Sequence, residues 1–247
     1  DAESRARLRR EARIGNLLGN DIQGVVRCLE WGELPERGLY IVQDIVDKAV
    51  PLDLTVGPLE QRLKRLEEAA ELVALVHARG VVHRDVKPAN FLVDAKGALF
   101  LTDFGLAKQI GEDEAEVEDD LTVKGRAMGT PAYMPPEQAA GEKHLFGPAS
   151  DVYGLGVMLY MILTNRLPFM GRNPYEVYKK VLDEDPTPPG QINPKIEPDL
   201  EKICLCALAK DRGQPILGRP SELNEHALHG RHRRTRALVL AAAHPAV

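Results

Sequence analysis

Cysteine is scarce in this chain: Cys28, Cys204 and Cys206 are the only three among its 247 residues. That is too few, and too poorly spaced, for a disulfide framework or a four-ligand zinc site. A reducing compartment is implied, and the expected location is cytoplasmic. Cys204 and Cys206 lie two apart in a helical pattern, so they should point to different faces and serve as small core residues. Long apolar runs are also missing. The longest, Tyr153 to Leu163, is too short to span a bilayer, and the opening DAESRARLRR has no hydrophobic stretch of the signal-peptide kind, so neither anchor nor export is expected. No sign of charge dominates either: the formal net charge is -5 and the pI about 5.9, which gives no footing for a nucleic-acid partner. What remains is an ordinary globular balance, with 44% hydrophobic and 28% charged residues, at a length that allows one large domain or two small lobes.

Along the chain, residues 3–18 set charges and leucines at mixed three- and four-residue spacing, which predicts an amphipathic helix weakened at Gly15. VVRCLEWGEL and GLYIVQDIV are β-rich runs separated by Pro35, Glu36, Arg37 and Gly38, the pattern of two strands and a turn. A long helix follows from Pro58 to Arg79, with Leu59, Leu63, Leu66, Ala70, Val73 and His77 on its stripe and Gly80 at its end. VVHRD, NFLVD and ALFLTDFG are short strand-like runs punctuated by Pro88 and Gly97. The acidic run EDEAEVEDD at 112–120 is expected as a solvated loop. Beyond it, YGLGVMLYMILT is apolar all round, as suits a helix at the centre of a helical lobe, and PYEVYKKVLDED and DLEKICLCALAKD read as amphipathic helices.

The chemistry sits in HRDVKPAN at 83–90, DFG at 103–105, GTPAYMPPEQ at 129–138 and DVYGLGVMLY at 151–160. Singly, an Asp before a turn is ordinarily a cap, and an Asn at a strand start is a turn residue. Jointly, in this order and spacing between about Glu11 and Lys210, the segments resemble the catalytic loop, magnesium loop, activation-segment end and central large-lobe helix of the protein kinase family. KPAN followed by GTPAYMPPEQA is most similar to the bacterial eukaryotic-like (Hanks-type) Ser/Thr group. The resemblance implies an α+β, protein kinase-like fold, with a mostly α large lobe and a partial β small lobe. It assigns residues 1–47 to the small lobe, 48–225 to the large lobe and 226–247 to a flexible tail. It also implies ATP-dependent phosphorylation of protein Ser or Thr, with ATP and Mg²⁺ as cofactors. The implied partners are a Ser/Thr-bearing protein and a second copy of the kinase for autophosphorylation.

Phosphoryl transfer asks a protein mainly to position groups and neutralise charge. On this resemblance Asp85 accepts or orients the substrate hydroxyl, Lys87 offers a cation to the migrating phosphoryl, and Asn90 and Asp103 supply hard oxygens for Mg²⁺. Thr130 would tie the substrate platform to Asp85 and Lys87. Arg84 would gather a phosphate on the activation segment, with Thr122 as the phosphosite. His83 and Phe104 would pack in the column joining the lobes, Asp151 would accept backbone N–H groups of the catalytic loop, and Glu137 would be buried against a late arginine, for which Arg219 is the candidate. In the hinge, Gln43 takes the gatekeeper place, and Asp44 and Val46 would offer a carbonyl and an N–H to adenine. Glu11 resembles the helix glutamate that pairs with the ATP-orienting lysine.

The sequence ahead of Glu11 holds neither a glycine-rich loop nor a lysine-bearing strand, and Gly15 stands where the family usually has a bulky apolar residue. Two expectations stay open: a piece of an active kinase, or a truncated kinase-like protein that works by binding. Near the other end, Arg219 requires a short insertion, with a reading-frame change after Gln214 as the alternative.

Overall fold

A computed structural model of the chain describes residues 2–34, 38–105, 107–109 and 131–210. The expected turn at 35–37, the acidic run at 112–120 and the tail lie outside the described residues. The opening helix α1 (Ala2–Asp21) outruns its predicted end and buries Ala12, Ile14 and Leu18 along one side. Strand β1 (Cys28–Leu34) pairs antiparallel with β2 (Gly38–Gln43), setting Trp31 opposite Ile41. Gly15, expected to weaken the docking of α1, is instead a point of close approach. A Cβ there would sit 3.2 Å from Cys28 Cβ, and one at Gly19 only 2.5 Å from Arg27 Cα. The two glycines lie four apart on one helical face and let α1 rest against the strand.

The rest of the fold is dominated by helices. Short β3 (Val50–Pro51) leads to α2 (Leu59–His77), which buries Leu66, Ala69, Ala70, Val73, Val76 and His77, while Leu59 at its start is 43% exposed. Gly80, at φ +73°, turns the chain into β4 (Val81–Val82). Strands β5 (Phe91–Val93) and β6 (Leu99–Leu101) complete an antiparallel sheet in the order β3-β5-β6, and β4 pairs with β7 (Lys108–Gln109). After the short α3 (Pro136–Ala139) comes α4 (Pro148–Thr164), the centre of the molecule. Every residue of α4 from Ser150 to Tyr160 is buried, so its all-round apolar character is explained by neighbours on every side. Each large apolar side chain enclosed in this way contributes about 1.5–3 kcal/mol.

Of the remaining helices, α5 (Pro174–Asp183) buries Val177 and Val181 in a separate small cluster with Phe169 beside α3, while α6 (Pro189–Ile192) and α7 (Pro198–Ala207) pack on the α4 core, α7 lying against α4 where Gly156 meets Ala207. Asn165 ends α4 in the left-handed region, and Arg62 of α2 binds both that end's Ile162 carbonyl (3.1 Å) and Asn165 Oδ1 (3.0 Å). Cys204 is buried beside Gly156, but Cys206 is only half-buried, because the second position has rotated away from α4. The architecture is therefore mixed, with a smaller strand-bearing region and a helix-dominated one, as the α+β expectation required.

Candidate active site

Segment 83–90 runs from the end of β4 over the N-terminal half of α4. Its anchor is Asp151, fully buried in the first turn of α4. One carboxylate oxygen accepts the His83 N–H at 2.8 Å and the other the Arg84 N–H at 2.7 Å. The third donor is His77 Nε2, 2.7 Å from Asp151 Oδ2. Sequence reasoning missed His77 as a polar group, since it occupied a place on the apolar stripe of α2. The signal available was a ring with two nitrogens at a buried position shortly before HRD. Burial pushes the Asp151 carboxyl up, but the hydrogen bond and charge of His77 and the hydrogen bond from the His83 N–H outweigh it and hold the group below the ordinary carboxylate value.

These bonds hold an unfavourable backbone. Arg84 has φ +68°, a conformation that costs a non-glycine residue about 1 kcal/mol or more. Gln138 Nε2 donates to the Arg84 carbonyl at 3.0 Å, securing the other side of the same residue from α3. A Cβ on Gly154 would stand 2.5 Å from the Val86 carbonyl oxygen, so the segment can lie on α4 only because that position is glycine.

Held this way, Asp85 turns its carboxylate into a small polar cluster. Lys87 Nζ donates to Asp85 Oδ2 at 2.6 Å, and Asn90 Nδ2 donates to the same oxygen at 3.0 Å and to the Asp85 carbonyl at 2.7 Å. Oδ1 of Asp85 makes no hydrogen bond with a described residue, which leaves one oxygen for an incoming group. The buried His83 ring faces the Thr102 carbonyl through Nε2 (3.0 Å), so that nitrogen carries the proton, and Nδ1 accepts the Asp85 N–H at 3.3 Å. Its ring also meets Phe104 edge-on at 5.0 Å. With both nitrogens engaged, His83 serves as an anchor for Asp85 and the 102–104 segment.

Asn90 and Asp103 are tied through their backbones, since Thr102 N–H donates to the Asn90 carbonyl at 3.0 Å. The Asn90 amide nitrogen is spent on Asp85, so its Oδ1 is left as the acceptor. Asp103, at φ +63°, contributes a carboxylate that is 38% exposed. An amide oxygen and a carboxylate are hard donors suited to Mg²⁺, which completes its shell with phosphate oxygens and water. Across from them, Glu11 accepts a hydrogen bond from Gln43 Nε2 at 3.4 Å. Burial raises the Glu11 carboxyl, the charge of Asp103 raises it further, and Arg7 and Gln43 pull it back. β2 ends at Gln43, and neither the Asp44 carbonyl nor the Val46 N–H meets a described backbone partner, while Val46 O accepts from Ala49. The Asp44 side chain is held by Arg27 at 3.0 Å.

The structure thus brings together Asp85, Lys87, Asn90, Asp151 and His83, with Asp103 beside Glu11. Thr122, Thr130 and Arg219 lie outside the described residues. The Arg84 guanidinium stacks over Phe146 at 5.0 Å, and Glu137, 6% exposed, accepts from Ser150 Oγ at 2.6 Å.

The protein kinase domain profile matches residues 1–217. The serine/threonine-protein kinase PknB of Mycobacterium leprae is 36% identical over 212 residues, which cover 83% of this chain and 33% of that protein. PknB of Mycolicibacterium smegmatis is 36% identical over 210 residues, with the same shares covered. The serine/threonine-protein kinase PknA of Mycobacterium tuberculosis is 36% identical over 220 residues, 85% of this chain and 48% of that protein. The chain therefore spans between a third and a half of the length of these relatives. It belongs to the protein kinase domain family, in its bacterial Hanks-type Ser/Thr branch.

Proposed function

We propose that this domain transfers the γ-phosphoryl group of ATP to Ser or Thr hydroxyls of a protein. The observation that carries it is the cluster in which Lys87 and Asn90 occupy one oxygen of Asp85 and, among the described residues, leave the other open. In this role Asp85 orients the hydroxyl and takes its proton, and Lys87 sits where it can neutralise the migrating phosphoryl. Asn90 Oδ1 and Asp103 would hold Mg²⁺, which would supply charge neutralisation for the phosphates. The carbonyl of Asp44 and the N–H of Val46 receive adenine, and residues 1–47 and 48–225 act as the two lobes around it. Arg84 gathers a phosphate from Thr122, and Thr130 joins the substrate platform. Glu137 and Arg219 pair to brace that platform. The names of the PknB and PknA relatives support the Ser/Thr choice, as does Lys87 before Pro88 and Ala89.

The test is label transfer from [γ-³²P]ATP to a protein acceptor, using this chain and the longest native polypeptide that contains it. Phosphoamino-acid analysis should find label on Ser or Thr, abolished by EDTA and lowered about 10²-fold or more by Asp103→Asn. Label that survives both treatments, or no label from either polypeptide, contradicts the proposal. Nucleotide binding without transfer by either is the result that selects the binding-module alternative.

A further inference from the structure

Arg7 lies on α1 one turn before Glu11, so the two side chains share a face. Its guanidinium reaches across to the loop of Asp103: Nη2 stands 3.9 Å from Asp103 Oδ1, with both side chains about one-third exposed. The contact extends beyond one ion pair. A Cβ on Gly105 would lie 2.7 Å from Arg7 Nε and 3.4 Å from Arg7 Cγ, so the arginine stem rests on the backbone just after Asp103. Burial raises the Glu11 carboxyl, the charge of Asp103 adds to that, and Arg7 is the cation that pulls it back.

We propose that Arg7 is the internal counter-ion of Asp103 and occupies the electrostatic place that a divalent cation must take. This rests on Asp103 being a metal ligand, as set out under Proposed function. A carboxylate facing a guanidinium binds a second cation less tightly, because the two positive charges repel and the arginine has to leave. Because the pair is partly exposed, solvent and salt screen it, and the penalty is moderate. Entry of the metal would release Arg7 from Gly105, so the position of α1 and the occupancy of the metal site become linked.

Manganese ion serves as the probe, since electron paramagnetic resonance reports its free fraction without nucleotide or turnover. Affinity should rise in the order native and Arg7→Lys, then Arg7→Gln, then Arg7→Glu, with Arg7→Gln about two- to tenfold tighter than the native chain. Asp103→Asn should weaken binding in every background. Circular dichroism verifies that each variant is folded, and the graded series does not depend on any single one. Affinity that is lost with Asp103→Asn but unmoved or lowered by Arg7→Gln overturns the counter-ion role and leaves the metal site standing. Binding indifferent to Asp103, or undetectable in the native chain and every Arg7 variant, overturns both.

Discussion

At the residue scale, three donors converge on one buried carboxylate. Asp151 takes the His83 and Arg84 N–H groups and His77 Nε2, all at 2.7–2.8 Å, and the segment that presents Asp85 depends on them. Replacing His77 with leucine leaves a buried charge short of a donor, which costs about 3 kcal/mol. The native carboxyl lies below its ordinary value, so its stabilising contribution is fully present above the unfolded carboxyl pKa of about 3.9 and is lost as pH falls through the lower folded value. Urea denaturation should therefore find His77→Leu about 3 kcal/mol less stable than the native chain at pH 7, with the gap narrowing as both carboxyls protonate. Amide hydrogen exchange at His83 and Arg84 should be faster in the variant. Equal stability and unchanged exchange would remove His77 from this support.

At the scale of elements, α4 is both core and floor. Its buried faces explain why the sequence is apolar all round, and Gly154 explains how the 83–90 segment comes within contact of its backbone. Gly154→Ala adds a methyl 2.5 Å from the Val86 carbonyl oxygen, where the neighbour is backbone and cannot rotate aside. The gain in helix propensity, about 1 kcal/mol, is opposed by a larger cost of separating helix and segment. Denaturation should show Gly154→Ala about 1–3 kcal/mol less stable, with amide shift changes concentrated in residues 83–90. A stabilised variant with an unmoved segment would contradict the close approach. Much of this layer was legible: α1, α2, α4, α5 and α7 follow from periodicity and end signals, and β1 and β2 from their composition. Periodicity records only which face is buried, and not what it meets. Composition alone therefore makes Gly15 a weak point of α1, while its contact with Cys28 makes it a seat for the strand, and helical spacing separates the faces of Cys204 and Cys206 without saying that only the first meets α4.

For the whole molecule, the candidate site depends on contacts that join distant parts of the chain. Asp85, Lys87 and Asn90 were legible because their motif is contiguous and local geometry almost fixes their meeting. His77 with Asp151, and Arg7 with Asp103, are 74 and 96 residues apart, and no local pattern announces such pairs. Their positions follow from α2 packing beside α4 and from α1 crossing above the 102–105 loop. The central claim is that this assembly presents one oxygen of Asp85 to a substrate hydroxyl, while the nucleotide is held by other groups. The most direct test is Asp85→Asn, with the rate of phosphoryl transfer and the affinity for ADP·Mg²⁺ measured on the same preparation. The account predicts a kcat lowered about 10²–10⁴-fold with ADP affinity unchanged within about twofold. An unchanged kcat, or a loss of nucleotide affinity that accounts for the whole effect, would contradict it.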